Sequence, residues 1–188
     1  INGIEILEKI KNEGKPVIFI SGHFNNFELM AMKIELSGIE LSAVYRPLNN
    51  IFLNRTMENL RKSYICKNQI KKGLGGVREI IKAFSQNISI ALMIDQRVTE
   101  GEKSILFKKS TYTTTIPAQL VKKYKCPVVP IYIQRSNDIF FDMTVEKPIY
   151  FSENDDVKSI TLKLNNWLES KISLNPDQWI WTHNKWKL

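Results

Sequence analysis

The chain has 188 residues, 43% of them hydrophobic and 24% charged, which is ordinary for a globular protein and argues against intrinsic disorder. This length suits a single domain that can bury a sizeable core. The formal net charge of +8 favours anionic partners without choosing among phosphates, nucleic acid, acidic carrier proteins and anionic lipid surfaces.

Cysteine content and apolar runs narrow the class further. Cys66 and Cys126 do not form a disulfide scaffold or a metal-ligand pattern, so we expect buried thiols in a reducing compartment. The best apolar run, residues 90–94, is far shorter than the ~20 residues of a membrane-spanning helix, and no signal peptide is visible. Because the chain begins at Ile1 rather than Met and soon reaches a strong strand, we expect an N-terminal anchor segment to lie outside it.

Apolar periodicity and turn residues predict alternating helices and strands, which is typical of an α/β domain. The first elements are a helix over residues 4–12 and a buried strand over 16–21. A helix capped by Asn25 or Asn26 then runs to about residue 37. The remaining elements in chain order are strand 41–45, helices 50–63 and 76–85, strand 88–94, helix 115–124, a hairpin of strands 128–134 and 139–146, and helix 156–173.

A histidine and a glutamate follow the first strand. His23 comes directly after the strand through Gly22, and open α/β sheets bind ligands at the carboxyl ends of their strands. Glu28 falls in the first turn of the next helix, where the intervening turn lets it pair with the imidazole. A carboxylate on one imidazole nitrogen makes the other a better base, able to deprotonate a hydroxyl that attacks a thioester. The alternative interpretation is a histidine in a turn and a glutamate that favours a helix N-terminus.

Further motifs accompany this pair in order along the chain. They are His23-Phe24-Asn25-Asn26-Phe27-Glu28, Tyr45-Arg46-Pro47, Gly75-Gly76-Val77-Arg78, Asp95-Gln96 and Gln178-Trp179-Ile180-Trp181-Thr182-His183. In this order and spacing, from about residue 15 to 187, the chain resembles the lauroyl and myristoyl acyltransferases of lipid A biosynthesis. The resemblance implies a mixed, mainly parallel sheet flanked by helices, like the glycerol-phosphate acyltransferase fold, in one catalytic domain over residues 1–188.

The resemblance also implies roles for single residues. His23 would be the general base and Glu28 its orienting partner. The positions that would bind or shape substrate are Arg46, Arg78, Asp95 and Gln96. Arg46 would contact a phosphate of the acyl donor or of the lipid, since a fixed guanidinium suits an oxyanion.

The implied reaction moves a fatty acyl chain from an acyl carrier protein or coenzyme A thioester to a hydroxyl of an anionic lipid A precursor. It would run at the cytoplasmic face of the inner membrane and need no metal or bound cofactor. Arg97, Lys108 and Ile116 depart from the family's usual pattern, which leaves the acceptor open.

Other functions stay open at this stage. A related acyltransferase with a glycerolipid or glycolipid acceptor would share the His23 and Glu28 motif. A non-catalytic basic module that binds lipid or nucleic acid would also fit the net charge of +8. Because no nucleic-acid motif and no array of aromatic residues between basic ones is visible, we expect no nucleic-acid partner.

Overall fold

Helices and strands alternate along the chain, which the computed structural model describes over residues 1–99 and 101–187. The helices are α1 (Ile4–Glu13), α2 (Glu28–Leu36), α3 (Ile51–Tyr64), α4 (Leu74–Ser85), α5 (Ile116–Tyr124) and α6 (Val157–Leu174). The strands are β1 (Ile18–Ser21), β2 (Leu41–Tyr45), β3 (Asn68–Lys71), β4 (Ser89–Met93), β5 (Glu102–Leu106), β6 (Lys109–Thr113), β7 (Val128–Asn137) and β8 (Phe140–Val145). A C-terminal tail, residues 175–187, follows α6 and begins with a short 3-10 turn, Pro176–Gln178.

Within the described residues, six strands form one sheet in the order β3-β2-β4-β1-β7-β8. Neighbouring strands from β3 to β7 are parallel, while β8 runs antiparallel to β7 at the edge. Strands β5 and β6 form a separate antiparallel hairpin against which α6 packs. The prediction of a mixed, mainly parallel sheet flanked by helices is therefore confirmed.

Continuous apolar runs identify the central strands. All of β1 is buried, and Ile18 lies between Ile90 of β4 and Val128 of β7 with no exposed surface on any of the three. Such runs form where both faces of a parallel sheet are covered. Both cysteines are buried and unpaired, as expected.

Capping confirms some predicted helix boundaries and corrects one. The Asn50 side chain accepts hydrogen bonds from the first N–H groups of α3, and Asp156 accepts from Ser159 at the start of α6. In contrast, α2 begins after Phe27 without a side-chain cap. Asn25 has a left-handed backbone, with φ of 45°, and its side chain binds Gln178 instead of capping the helix.

The sequence does not predict β3 or the β5–β6 hairpin. Strand β3 lies at the sheet edge and buries Ile70, so it lacks an apolar run. In β5, the small polar Ser104 is buried together with Leu106, which weakens the alternation that reveals a strand. These segments become strands through tertiary pairing more than through their own propensity.

The parallel strands place their carboxyl ends at one edge of the sheet. The loops that follow β1, β2 and β4 there carry His23, Arg46 and Asp95. Among residues 1–99 and 101–187, we find no helix with the length and apolar character to cross a membrane.

Candidate active site

A close approach of backbone and side chains positions the His23 loop. A methyl group on Gly22 would lie 2.9 Å from side-chain carbons of both Phe24 and Leu168. The backbone at position 22 can therefore pass between these side chains only as glycine. The His23 carbonyl oxygen accepts a hydrogen bond from the N–H of Ile180, 3.0 Å away in the C-terminal tail. The loop is therefore held between α6 and the tail.

Asp95, not Glu28, is the carboxylate that binds His23. Its Oδ1 lies 2.7 Å from His23 Nδ1, and its Oδ2 accepts the backbone N–H of His23 at 2.7 Å. The expected pairing of Glu28 with the imidazole is therefore wrong in this structure. Asp95 reaches His23 because β4 and β1 are adjacent parallel strands whose carboxyl ends meet.

Asp95 is buried, and its hydrogen bonds keep it ionised. Burial alone would raise the pKa of this carboxyl group. The hydrogen bonds from His23, together with one from Trp179 Nε1 at 2.9 Å, outweigh burial and hold the pKa below its ordinary value. An ionised Asp95 requires a proton on His23 Nδ1, so in the neutral imidazole the lone pair lies on Nε2.

The Nε2 nitrogen of His23 lies beside the side chain of Gln96, and both residues line an open cavity. The side-chain amide nitrogen of Gln96 lies 3.3 Å from Nε2, and the ring of Phe27 packs edge-on at 4.7 Å between centroids. Since Nε2 carries the lone pair, the Gln96 amide is the donor in this contact. A hydroxyl that enters the cavity can therefore replace Gln96 as the hydrogen-bond donor to Nε2.

Glu28 has another partner. Its Oε1 accepts hydrogen bonds from Arg61 Nε at 2.9 Å and Arg61 Nη2 at 2.7 Å. Arg61 also lies over the ring of Tyr45, with its guanidinium carbon 5.6 Å from the ring centroid. Glu28 thus links α2 to α3 in the wall of the site. Its spacing of five residues from His23 does not reveal this role.

A cavity of about 270 Å³ opens beside His23. Its apolar wall consists of Phe27, Ala31, Ala43, Val44, Ile65, Ala91, Leu92, Met93, Val98 and Ile116. Polar groups also line it: Glu28, Tyr45, Arg46, Arg61, Gln69, Lys72, Gln96 and Thr114. An apolar chamber with a few convergent polar groups is the usual form of a small-molecule site.

Of the two arginines predicted to bind substrate, Arg46 lines this cavity and Arg78 does not. Arg78 is exposed on α4 and is not among the residues that line the cavity, so its predicted role in binding substrate has no support here. Lys72 lines the cavity instead, placed beside Arg46 by the hydrogen bond from its backbone N–H to the Tyr45 carbonyl at 2.8 Å. Partial burial and the like charge of Arg46 lower the pKa of Lys72.

The family model for bacterial lipid A biosynthesis acyltransferases matches residues 1–188. The chain belongs to this family. It is 22% identical over 185 residues to "Lipid A biosynthesis acyltransferase 2" of Shigella flexneri, a match that covers 95% of the chain and 58% of that protein. It is 21% identical over 182 residues to "Lipid A biosynthesis myristoyltransferase" of Escherichia coli K12, covering 95% of the chain and 56% of that protein. The chain thus spans little more than half the length of these relatives.

Family membership confirms the resemblance, and the structure locates the departures from the family's pattern. Ile116 lines the cavity, so this departure can change what the cavity accepts. Lys108 lies in the turn between β5 and β6 with φ of 59°, a conformation that favours glycine. The Arg97 backbone N–H donates to His183 Nε2 at 2.9 Å, so this position joins the loop after β4 to the tail.

The C-terminal tail contributes site residues that sequence reasoning missed. Besides Trp179, it supplies Lys185, which has no exposed surface and donates from Nζ to the carbonyl oxygens of Ile94 at 3.2 Å and Gln96 at 3.1 Å. Burial lowers the pKa of Lys185 to about 8. One sequence signal points to Lys185: it is the single lysine between Trp181 and Trp186, in a tail whose tryptophans indicate burial.

No cluster of three or more His, Cys, Asp or Glu side chains that could hold a metal ion occurs within residues 1–99 and 101–187. The groups that converge on the cavity include the imidazole of His23, the amide of Gln96 and the cations of Arg46 and Lys72. This set can perform proton transfer and bind anionic groups.

Proposed function

We propose that the chain is the catalytic part of an acyltransferase that transfers a fatty acyl chain from a thioester to a hydroxyl of a lipid A precursor. The observation that carries the proposal is the His23–Asp95 pair, because His23 also lines a cavity with a largely apolar wall and its Nε2 has the displaceable Gln96 amide as its neighbour. Membership of the family, and relatives named lipid A biosynthesis acyltransferase and myristoyltransferase, support the substrate class. We place the reaction at the cytoplasmic face of the inner membrane.

His23 acts as the general base. Its Nε2 takes the proton of the acceptor hydroxyl while that oxygen attacks the thioester carbonyl and forms a tetrahedral intermediate. Asp95 stays ionised and stabilises the imidazolium through Nδ1–H. The intermediate collapses with cleavage of the C–S bond, and the imidazolium returns its proton to the departing thiolate.

Gln96 is our candidate for stabilising the oxyanion. Its side-chain amide lies 3.3 Å from His23 Nε2, next to the point where the attacking oxygen must lie. When the hydroxyl binds Nε2, the amide N–H is released to donate to the developing negative charge. Donors placed in advance at such a point lower the barrier by several kcal/mol, about 3 in a measured case.

The cavity provides separate places for the two ends of the substrates. Its apolar wall receives the acyl chain. Arg46 and Lys72 provide positive charge for a phosphate of the lipid acceptor or of the donor's carrier, either acyl carrier protein or coenzyme A. The chemistry proposed needs only a base and these charges, so we assign no metal or bound cofactor.

The test is transfer of a labelled acyl chain by the full-length protein to a lipid A precursor and, separately, to lysophosphatidic acid. We expect transfer to the lipid A precursor, and we expect His23→Asn to lower kcat/KM by about 10²- to 10⁴-fold. The Asn side chain can still donate to Asp95, so thermal unfolding should show a retained fold.

Different results would reject different parts of this proposal. Undiminished transfer by His23→Asn would reject His23 as the base. Transfer to lysophosphatidic acid alone would reject the lipid A acceptor and favour the glycerolipid alternative. Anionic ligand binding without any transfer would favour the non-catalytic module.

A further inference from the structure

Exposed apolar side chains gather at the start of α3. Ile51 is 74% exposed, Phe52 81% and Leu53 58%, and Leu48 in the preceding loop is also exposed. We call these four residues the α3 tip. No residue of α3, which is described in full, is buried, so the tip makes no contribution to the core. Three consecutive exposed large apolar residues are unusual on a surface that meets only water.

A second exposed apolar group lies at the turn between β7 and β8 and on the first residue of β8. Ile139 is 78% exposed and Phe140 64%. We call these two residues the hairpin tip. The adjacent Arg135 side chain holds its place through a hydrogen bond to Asn25, which follows His23 in the active-site loop.

Both tips lie at the carboxyl edge of the sheet, where the cavity lies. Helix α3 begins there because it follows the carboxyl end of β2. Pro130 of β7 pairs with Ile20 near the end of β1, and β7 continues to Asn137. At ~3.3 Å per residue, the hairpin tip therefore extends roughly 20 Å past the end of β1. In the strand order, the cavity strands β2, β4 and β1 lie between the two tips.

Cations accompany the α3 tip. Arg46 precedes the α3 tip, Arg55 follows two residues after Leu53, and Lys72 lies beside Arg46. None of the three forms a salt bridge with another residue of the described chain. Exposed apolar side chains with cations beside them are typical of surfaces that bind anionic lipid bilayers. The apolar groups enter the lipid, and the cations attract its phosphates.

We propose that this edge of the molecule docks on an anionic bilayer, with both tips among the upper acyl chains and the cations at the level of the phosphates. An anionic bilayer suits this surface because it offers an apolar interior to the exposed side chains and phosphates to the cations beside the α3 tip, which form no salt bridge within the described residues. In this orientation the cavity faces the lipid layer, so a lipid can reach His23 with its acyl chains still in the bilayer.

The test is co-flotation of the 188-residue chain with vesicles of phosphatidylcholine, alone or mixed with phosphatidylglycerol in equal parts. We expect binding to the mixed vesicles that weakens as salt is added. Phe52→Ser and Phe140→Ser should each weaken it about ten-fold, because each removes a large apolar side chain from the lipid. Phe52→Trp should retain binding.

Leu36→Ser is the matched control. Leu36 is 70% exposed, but it ends α2 and therefore lies at the opposite edge of the sheet. We expect this variant to bind like the wild type. Equal loss in Leu36→Ser and Phe52→Ser, binding that does not depend on phosphatidylglycerol, or no binding at all would overturn the proposal. The flotation experiment contains no acyl donor, so a failure to bind vesicles would reject bilayer docking and leave the acyltransferase proposal untouched. Vesicle binding by a protein that shows no acyl transfer would reject the acyltransferase proposal alone.

Discussion

Asp95 combines several constraints in one side chain. Its two oxygens accept from the backbone and imidazole of His23 and from the indole of Trp179. An asparagine of the same shape has a single acceptor oxygen, so it cannot satisfy all of these donors. The arrangement therefore requires a carboxylate at this position, and it fixes the imidazole tautomer that the proposed mechanism uses.

Lys185 is a buried cation beneath the same loop. Its ammonium group donates to carbonyl oxygens on both sides of Asp95, those of Ile94 and Gln96. Burial lowers its pKa from the ordinary 10.5 to about 8, so the folded chain binds this proton less tightly than the unfolded chain. The free energy of unfolding that depends on Lys185 therefore rises with pH between about 8 and 10.5.

Replacement of Lys185 by methionine tests this linkage. The wild type should gain stability relative to Lys185→Met as the pH rises from about 8 to 10.5, because only the wild type releases this proton on folding. At about 1.4 kcal/mol per pKa unit, the difference in unfolding free energy should change by about 3 kcal/mol. Urea denaturation of both proteins across this pH range measures it, and a difference that does not vary with pH would contradict the buried cation.

At the scale of elements, the packing of α4 on β3 depends on one of two neighbouring glycines. A methyl group on Gly76 would collide with the carbonyl oxygen of Lys71 at the end of β3. A methyl group on Gly75 would meet no atom within 4 Å. The contact at Gly76 fixes the end of β3, from which Lys72 enters the cavity.

Replacement of each glycine by alanine should therefore have opposite effects on the free energy of unfolding. Gly76→Ala should destabilise the fold by about 1–3 kcal/mol, since helix and strand must separate. Gly75→Ala should be neutral or stabilising by up to about 1 kcal/mol, because alanine favours the helix. Chemical denaturation of both variants gives the comparison, and equal effects would show that α4 does not pack as described.

The elements also show what the sequence can predict. Strand β2 has the predicted bounds, and α3 starts within one residue of its predicted start at residue 50, because local patterns determine both. Strand β3 and the β5–β6 hairpin depend on pairing partners and are largely polar, so no local pattern reveals them.

At the scale of the whole molecule, the site unites parts of the chain that are far apart in sequence. The position of His23 after a buried strand was predictable, because a strand of this kind ends at the ligand-binding edge. Its carboxylate partner was not. Glu28 is nearer in sequence, but Asp95, 72 residues away, is nearer in space because β4 pairs with β1.

The C-terminal tail was still less predictable from local patterns. Trp179 and Lys185 reach the loop after β4 only because the tail crosses the carboxyl edge of the sheet. The tryptophans predict packing, but they do not specify the residues against which they pack. The family resemblance pointed to this tail as a motif, and the hydrogen bonds give it a physical role.

The most direct test of the account compares two carboxylates in the full-length protein. We expect Asp95→Asn to lower kcat/KM for acyl transfer by about 10²- to 10⁴-fold, since the imidazole loses its orienting partner. Glu28→Gln keeps an acceptor for Arg61 and should lower kcat/KM by less than about ten-fold, with thermal unfolding as the control for both. A loss in Glu28→Gln as large as that in Asp95→Asn, in a folded protein, would contradict the assignment of Asp95 as the partner of His23.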